Sequence, residues 1–590
     1  MHECYMDTRE NEQRLCVSPT VHVGITGHRV LAPGVRERIR RQVAEVLAEI
    51  QSATLELLER EKESVPQGYL KGAPRFRLIS PLAEGADRLA AREALALGYG
   101  LQCPLPFSQS FYESTFVEAD SSHAEFRELL GRAESIMEVA GGNESFTSQA
   151  YADISSVVVN HSDFLLAVWD GKPNRYIAGT YATVQQARRR HMPVIIIDAS
   201  SEGENVAILY REDNKSTDDF RKAVRESLRF LLFPQGNDSY DVPLLPLPRP
   251  ARMRFRSCRA AERSNAKMPT PMAASGIWLK RKQGFSLIVA EMAKRYRTLL
   301  IGRLLFPVLA IIFLTLALYA PNLPLVGSCI SDFKQHVSMV FFALQVLCIF
   351  ISLAQVVLDR QAQYHRRYLC YRVMAELCRQ TAFLYPMGFA DVRFRHRSYR
   401  PPTGRDITSW YYRMLLREQG LPNCTISHAD LVNWLKWVRE RLLVSQQLYH
   451  DKRAQRSGIL QSRLGLLSIC FFVAGLLTTV SRAIMSSTGD GAGGEWLVLF
   501  ASLALVCPSI ASFFASISQN AGYPLHNTVS RNMGDFFRAM ISEFDSLLRK
   551  PENEVVYTDI LRLCESIDRH CREELSDWED SVRQKPLKWV

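Results

Sequence analysis

Four long apolar segments interrupt an otherwise mixed pattern of hydrophobic and polar residues. None of the four contains a charged residue, and each approaches the roughly 20 residues that an α-helix needs to cross about 30 Å of hydrocarbon. Polar breaks separate them, so the pattern predicts an all-α membrane domain. Its four transmembrane helices form two hairpins and comprise residues 304–320, 337–358, 464–481 and 496–518.

The first third of the chain has a different pattern, in which short apolar runs alternate with amphipathic stretches. This alternation is typical of an α/β domain with a mainly parallel sheet covered by helices. The predicted strands are residues 21–26, 75–80, 101–106, 163–169 and 193–198. The predicted helices between them are residues 35–59, 86–97, 111–130, 152–161 and 180–190.

These patterns divide the chain into seven parts. Closely spaced prolines in PLLPLPRP interrupt helix and sheet alike, which places a linker after the α/β domain. The parts are a polar N-terminal segment (1–19), the α/β domain (20–242), a Pro/Arg-rich linker (243–278), an amphipathic helix with the first hairpin (279–358), a cytoplasmic helical segment (359–463), the second hairpin (464–518) and cytoplasmic C-terminal helices (519–590).

The positive charge of the chain lies mostly beside the apolar segments. The net charge is 72 − 61 = +11 over 590 residues. The connections inside the hairpins carry Lys334 and Arg482, whereas the outer flanks of the spans are rich in Lys and Arg. The positive-inside rule therefore predicts that both termini and the middle segment face the cytoplasm. Because the charges cluster there instead of on one aromatic-rich face, nucleic acid is not an expected partner.

Two further features agree with a cytoplasm-facing protein. The 13 cysteines include no C-x-x-C pair, which favours reduced thiols over disulfides or a metal site. The polar N-terminus has no apolar core of the kind that a cleaved secretory signal requires.

Glycines and small polar residues follow three of the predicted strands and begin a helix. In an open parallel sheet these loops share the carboxyl edge, where ligands bind. Free N–H groups at helix starts favour an anion there, so the pattern predicts a phosphate-bearing or nucleotide-like ligand and no metal or resident cofactor. Each loop alone also fits an ordinary turn. The candidate ligand-binding residues are Gly24, Thr26, Gly27, His28, Arg29, Ser80, Glu84, Gly85, Asp87, Asp170, Gly171, Lys172, Gly179 and Thr180.

Four stretches of this domain resemble the SLOG superfamily. They are GITGHR (24–29), SPLAEGADRLA (80–90), DFLLAVWDGKP (163–173) and AGTYATVQQARRR (178–190). The resemblance covers residues 20–200 and implies a LOG/DprA-like Rossmann fold. Members include sensors of nucleotide-derived ligands and LOG-type nucleoside-monophosphate phosphoribohydrolases.

The rest of the chain is similar to the membrane halves found beside SLOG domains in bacterial conflict systems, including the SLATT effectors. The architecture and SWYYRMLLREQGLP (409–422) carry this likeness. It implies a membrane-anchored sensor–effector of the bacterial inner membrane that acts in antiphage defence. Expected partners are the lipid bilayer, a small nucleotide-like ligand, further copies of the chain and a neighbouring nucleotide-synthesising enzyme.

One departure from the hydrolases bears on activity. LOG-type enzymes use a glutamate in G-G-x-G-T-x-x-E, and Thr183 stands at that position here. A hydroxyl cannot replace a negative charge beside an oxocarbenium ion, which favours ligand binding over hydrolysis, although Glu84 is a possible substitute. The alternatives that stay open are a membrane-tethered N-glycosidase and a nucleotide-gated cation channel.

Polar residues recur every seven positions within two of the apolar segments. Ser338, Gln345 and Ser352, with Gln355 nearby, share a face of the second, and three serines (502, 509 and 516) share a face of the fourth. Such stripes fit either close helix packing or the lining of a pore in an oligomer.

Overall fold

The chain forms two compact units. The computed structural model describes residues 17–61, 70, 72–116, 119–140, 147–173, 175–200, 206–210, 215–217, 220–233, 270–319, 331–362, 364–390, 407–488 and 494–583. The first, here called the sheet unit, comprises Met1–Phe285, Val373–Glu440 and Glu543–Ser576. The second, here called the helical unit, comprises Ser286–Arg372, Arg441–Ser542 and Asp577–Val590.

Among the described residues, the sheet unit contains nine strands. In chain order they are β1 (Thr20–Gly27), β2 (Arg75–Ile79), β3 (Gly100–Leu105), β4 (Ser135–Val139), β5 (Phe164–Trp169), β6 (Val194–Asp198), β7 (Val206–Tyr210), β8 (Lys215–Thr217) and β9 (Cys424–Ile426). Their spatial order is β8-β7-β6-β5-β1-β2-β3-β4-β9. β1 to β6 and β9 pair in parallel, and β7 and β8 add an antiparallel edge.

Helices cover this sheet. They are α1 (Pro33–Arg60), α2 (Ala86–Ala96), α3 (Gln109–Ser114), α4 (Ala119–Gly131), α5 (Thr147–His161), α6 (Thr180–Arg189) and α7 (Phe220–Leu232). Because both faces are covered, a central strand can be apolar along its whole length, and all six residues of β5 are apolar and buried. The strand order reverses at β1 and β5, so their carboxyl ends flank a topological switch point.

The α/β class and the five predicted strands are confirmed, and three details differ. The single helix predicted over residues 111–130 is two helices, α3 and α4. β4 was not predicted. Its five residues alternate between buried and half-buried positions, and so short a strand gives only a weak pattern in the sequence. The antiparallel strands β7 and β8 were also missed.

The middle segment, predicted as a cytoplasmic helical segment, contributes β9 to the sheet. Thr425 pairs with Glu138 in the β4 register, and the backbone N–H of Ile136 donates to the side chain of Asn423 at 3.0 Å. Residues 373–440 and 543–576 belong to the sheet unit, where the sequence pattern assigned them to the cytoplasmic helices of the membrane half. Three-residue strands carry too little periodicity to be detected.

A buried ion pair fixes this segment to the sheet. The Arg417 Nε atom donates to Asp163 Oδ1 at 2.8 Å, and both side chains are almost fully buried. The other carboxylate oxygen of Asp163 accepts the backbone N–H of His22 at 3.0 Å. The pair thus joins β1, the start of β5 and a residue 254 positions away.

The remaining helices are mostly long. They are α8 (Thr270–Ala273), α9 (Ser275–Tyr319), α10 (Ser331–Ala362), α11 (Tyr364–Leu384), α12 (Ile407–Gln419), α13 (His428–Val438), α14 (Ser445–Thr488), α15 (Gly494–Asn520), α16 (Tyr523–Leu548) and α17 (Tyr557–Arg583). Among the described residues, four helical stretches are long and apolar enough to cross a membrane, as predicted: Pro271–Tyr319, His336–Ala362, His428–Ser487 and Trp496–Leu548.

The four apolar helices pack as two antiparallel pairs within the helical unit. In the first pair, Ser338 donates to the Ala317 carbonyl at 2.8 Å, and Arg303 bonds to Asp359 at 3.0 Å. In the second, Ser468 donates to the Ala511 carbonyl at 2.9 Å. Gly475 also lies against Pro508, so in both pairs a higher residue number on one helix meets a lower residue number on the other, which makes each pair antiparallel.

The polar residues of α10 lie on its half-buried face. Ser338 bonds to α9, and a Cβ on Gly302 would lie 2.4 Å from the Gln355 amide nitrogen, so Gln355 packs directly on α9. The opposite face of α10 is apolar and exposed, with Met339 and Phe350 each 65% exposed. These contacts favour helix packing as the role of this stripe.

Candidate functional site

A cavity of about 580 Å³ opens at the carboxyl edge of the sheet, beside the switch point. Its volume lies within the roughly 300–1,000 Å³ of small-molecule sites. Its walls come from the end of β1, the loop after β2, α3, one face of α5 and the start of α6.

The structure brings six of the predicted site residues together around this cavity. They come from three separate segments, the end of β1 with the loop after it, the start of α2 and the start of α6, which meet at one edge of the sheet. The six are Thr26, Gly27, Arg29, Asp87, Gly179 and Thr180.

The other predicted residues do not line this cavity, and several have a visible role in packing. A Cβ on Gly24 would lie 2.4 Å from the Ser162 hydroxyl oxygen, so this glycine allows α5 to approach β1. Gly85 has φ +81°, and a Cβ there would lie 2.2 Å from the Arg29 carbonyl oxygen. These two glycines therefore permit close backbone contact instead of ligand contact.

Polar members of that group are engaged with neighbouring residues. The Ser122 hydroxyl donates to Glu84 at 2.7 Å, and the backbone N–H of Leu82 donates to the Ser80 hydroxyl at 3.1 Å. His28 Nε2 accepts the backbone N–H of Asp170 at 3.2 Å. The remaining two, Gly171 and Lys172, are exposed, and the Lys172 ammonium lies 3.7 Å from the Asp170 carboxylate.

The start of α6 is shaped to receive an anion. Gly179 precedes the helix with φ +101°, a conformation that favours glycine, and no described atom lies within 4 Å of where its Cβ would be. Among the described residues, no side chain caps this end, and the first turn contains no acidic residue. The helix start therefore presents backbone N–H groups and the positive end of its dipole to the cavity.

Thr183 lies in the first turn of α6 and also lines the cavity. Its hydroxyl donates to the Gly179 carbonyl at 2.9 Å. At the position where the LOG-type pattern has a glutamate, this chain thus has a neutral side chain that is bonded to the backbone.

Asp87 places a carboxyl group in the cavity wall. It lies in the first turn of α2 and is only 4% exposed. Burial raises its pKa to about 7, although the Ala83 backbone N–H and the charges of Arg29 and Arg88 oppose the shift. A carboxyl group that changes charge near neutral pH is thus positioned against the site.

Aromatic and cationic side chains complete the walls. The Arg29 guanidinium lies 4.9 Å from the centre of the Tyr151 ring. Tyr112 is buried, and burial raises the pKa of its phenol, with the Asp87 carboxyl adding to the shift. Arg175 and the 79% exposed Tyr176 line the cavity from the segment just before α6.

Local sequence patterns do not identify these wall residues, for two reasons. Arg175 and Tyr176 come shortly after the predicted Asp170–Lys172 loop, and extending that loop to the next helix would have included them. On α5, the lining residues Ser148, Tyr151, Ser155 and Val158 follow the spacing of one helix face. That spacing fits a helix packed on the sheet equally well, so it does not identify a ligand site.

The cavity therefore combines an uncapped helix start, two arginines, tyrosine rings and one group titrating near neutrality. Comparison of the chain with protein-family models, with curated proteins and with solved structures finds no match.

Proposed function

We propose that this protein is a membrane-anchored sensor–effector whose cytoplasmic, SLOG-like domain binds a nucleotide-derived signal. The observation that carries the proposal is the cavity at the switch point. Its helix start and its two arginines suit a phosphate, and its tyrosines suit the stacking of a base. The four apolar helices in the same chain supply the membrane anchor.

The effector step is a change in the membrane. The basic flanks of the spans favour cytoplasmic termini in a bacterial inner membrane. Ligand binding would favour one of two arrangements of the helices. In an oligomer, the membrane-spanning helices would then open a pore or perturb the bilayer. This proposal agrees with the resemblance to bacterial conflict systems, in which the biological role of the protein would be antiphage defence.

Helix α5 is the element that would report occupancy of the cavity. Tyr151 lines the cavity from one side of this helix, whereas Asp153 does not line it. The Asp153 carboxylate accepts the Thr558 hydroxyl of α17 at 2.6 Å in a buried contact. α17 continues to Arg583, beyond the end of the sheet unit at Ser576.

The test measures binding and membrane leakage with the full-length protein in liposomes. A panel of linear and cyclic nucleotides is screened by calorimetry, and release of a trapped dye is recorded with each. Arg175→Ala should weaken binding at least tenfold, while Lys172→Ala, in the same loop but outside the cavity, should bind as the wild type does. If no nucleotide in the panel produces heat, the sensing proposal fails; binding without leakage overturns the effector step.

A second candidate function is hydrolysis of the ligand at the N-glycosidic bond. Asp87 favours it, because a carboxyl group with a pKa of about 7 can act as a general acid at neutral pH. Release of free base from nucleoside monophosphates by the full chain, lost in Asp87→Asn, would support this function over sensing alone. Full-length protein is needed because the sheet unit includes residues 373–440 and 543–576.

A further inference from the structure

One side of α14 changes from basic to apolar along its length. Lys452, Arg456 and Arg463 follow one another at spacings of four and seven, so they lie on the same side of this helix, and all three are exposed. They are here called the basic face. Leu466 and Leu477 continue this side of the helix and are also exposed. A cationic surface thus runs directly into the surface that is suited to hydrocarbon.

The charges of the basic face are not neutralised within the protein. Other arginines of the helical unit have carboxylate partners: Arg303 lies 3.0 Å from Asp359, and Arg538 lies 3.0 Å from Asp451. Within the described part of the chain, no carboxylate forms an ion pair with a cation of the basic face. Its positive charge is therefore available to an anion outside the chain.

Apolar side chains are interspersed with these cations. Tyr449 lies three positions before Lys452, Ile459 lies three positions after Arg456, and both are exposed. Such a mixture suits the boundary of a bilayer, where basic side chains reach the headgroups and apolar ones enter the acyl region. Because the basic face is continuous with the apolar face of the same helix, a lipid is the anion that fits it.

The first pair of apolar helices has the same pattern at one end. Lys294 and Arg297 precede the apolar segment of α9, and Arg360 follows that of α10; all three are exposed. The ion pair between Arg303 and Asp359 joins the two helices at this end. Among the described residues, no carboxylate pairs with the three exposed cations. Both pairs thus place unneutralised cations at the ends away from the hairpin connections.

We propose that the basic face, together with Lys294, Arg297 and Arg360, binds the headgroup phosphates of anionic phospholipids, so that the helical unit prefers such lipids to zwitterionic ones. Guanidinium groups match a phosphate with two parallel hydrogen bonds, and the lysine ammonium groups add point charges. This partner belongs to the membrane part of the chain, and binding it requires no nucleotide.

Depth ranks the three cations of the basic face. The apolar segment begins at residue 464, so Arg463 lies at the edge of the hydrocarbon. Arg456 lies about 10 Å and Lys452 about 16 Å further along the helix axis. Attraction to a charged headgroup layer falls off within a Debye length, so the contribution should decrease from Arg463 to Lys452.

The experiment uses the full chain in nanodiscs of phosphatidylcholine with a minor fraction of phosphatidylglycerol. Electron paramagnetic resonance of spin-labelled forms of both lipids gives the ratio of their association constants with the protein. The wild type should favour phosphatidylglycerol by about fivefold, the effect of one cation close to a headgroup. Raising the salt from about 0.1 M to about 1 M should remove most of this preference.

Two matched double variants separate charge from shape. Arg456→Gln with Arg463→Gln should lower the ratio at least about twofold, whereas Arg456→Lys with Arg463→Lys keeps both charges and should keep most of the preference. Among single variants, Arg463→Gln should have a larger effect than Lys452→Gln. Inorganic phosphate that replaces chloride at constant ionic strength should leave the ratio unchanged, because the basic face meets its phosphates at the bilayer surface.

A wild-type ratio near one, a preference that salt does not weaken, or a glutamine variant with the wild-type ratio overturns the proposal. Displacement of the labelled lipid by inorganic phosphate or by a short RNA also overturns it and assigns the basic face to that anion. The salt series on the wild type decides even if the variants do not fold. Since no nucleotide enters the experiment, its failure is distinct from a failure of the sensing function.

Discussion

The two units differ in what they bury. In the sheet unit, charged groups lie inside and are paired, as Asp163 and Arg417 are. In the helical unit, large apolar side chains lie on the outside, as Phe350 and Leu476 do at 65% and 56% exposure. The surface of the sheet unit is thus suited to water, and its interior holds packed apolar side chains and a polar cavity. The exterior of the helical unit is suited to hydrocarbon, because apolar side chains can face lipid directly.

The largest effect is expected when a buried charge of the sheet unit is left unpaired. Asp163→Asn removes the charged partner of Arg417 from a site where both side chains are almost fully buried, which should cost about 3–5 kcal/mol. Hydrogen exchange of the β1 and β5 amides in the full chain would measure the loss. As a control, Arg60→Gln removes an exposed i,i+4 pair with Glu56 and should change stability by less than about 1 kcal/mol. Equal protection in both variants would contradict the structural role of the buried pair.

A second test places the same substitution in both units. Leu476 is 56% exposed in the helical unit, and Leu55 is 50% exposed in the sheet unit. Leu476→Arg should raise the apparent free energy of membrane insertion by about 3 kcal/mol, as measured by glycosylation mapping of the second hairpin.

The matched variant is Leu55→Arg, which replaces a leucine that water already reaches. It should change the free energy of unfolding by no more than about 0.5 kcal/mol. If both arginines had similar effects, the two surfaces would not face different solvents.

The smallest of the three effects concerns the cavity. The folded-state pKa of Asp87 is about 7, above its ordinary value of 3.8, so the folded state holds this proton more tightly than the unfolded state. Stability from this group is therefore greatest below pH 4 and is lost as the pH rises through 7, by about 2–3 kcal/mol between pH 5 and pH 8. Asp87→Asn should flatten that part of the profile in thermal unfolding. An unchanged slope would show that Asp87 is not the group responsible.

The sequence predicted what local patterns encode. Runs of apolar residues located β1, β2, β3, β5 and β6, and charge-free segments located the four long helices. Glycines after β1 and β2 and at the start of α6 identified three of the segments at the cavity, because a close approach of the backbone needs glycine whether or not a ligand is present. For the same reason Gly24 and Gly85 were assigned to the ligand when their space is taken by Ser162 and by the Arg29 backbone.

What the sequence did not predict depends on distant partners. β9 is three residues long and is a strand because β4 offers it an edge. Nothing in the sequence of its helix distinguishes Arg417 from an exposed arginine. Its burial becomes evident only from the ion pair with Asp163 in the folded protein. The cavity face of α5 has ordinary amphipathic spacing. That this face lines a cavity follows only from its position beside the carboxyl edge of the sheet.

The position of β9 has a consequence for synthesis on the ribosome. β4 is made early, yet the strand that covers its outer edge is not made until after the first two apolar helices, α9 and α10. An uncovered strand edge is a template for pairing with other chains. The edge of β4 therefore stays uncovered while α9 and α10 are synthesised. Truncation before Cys424 would leave the edge open permanently, in a product prone to aggregate.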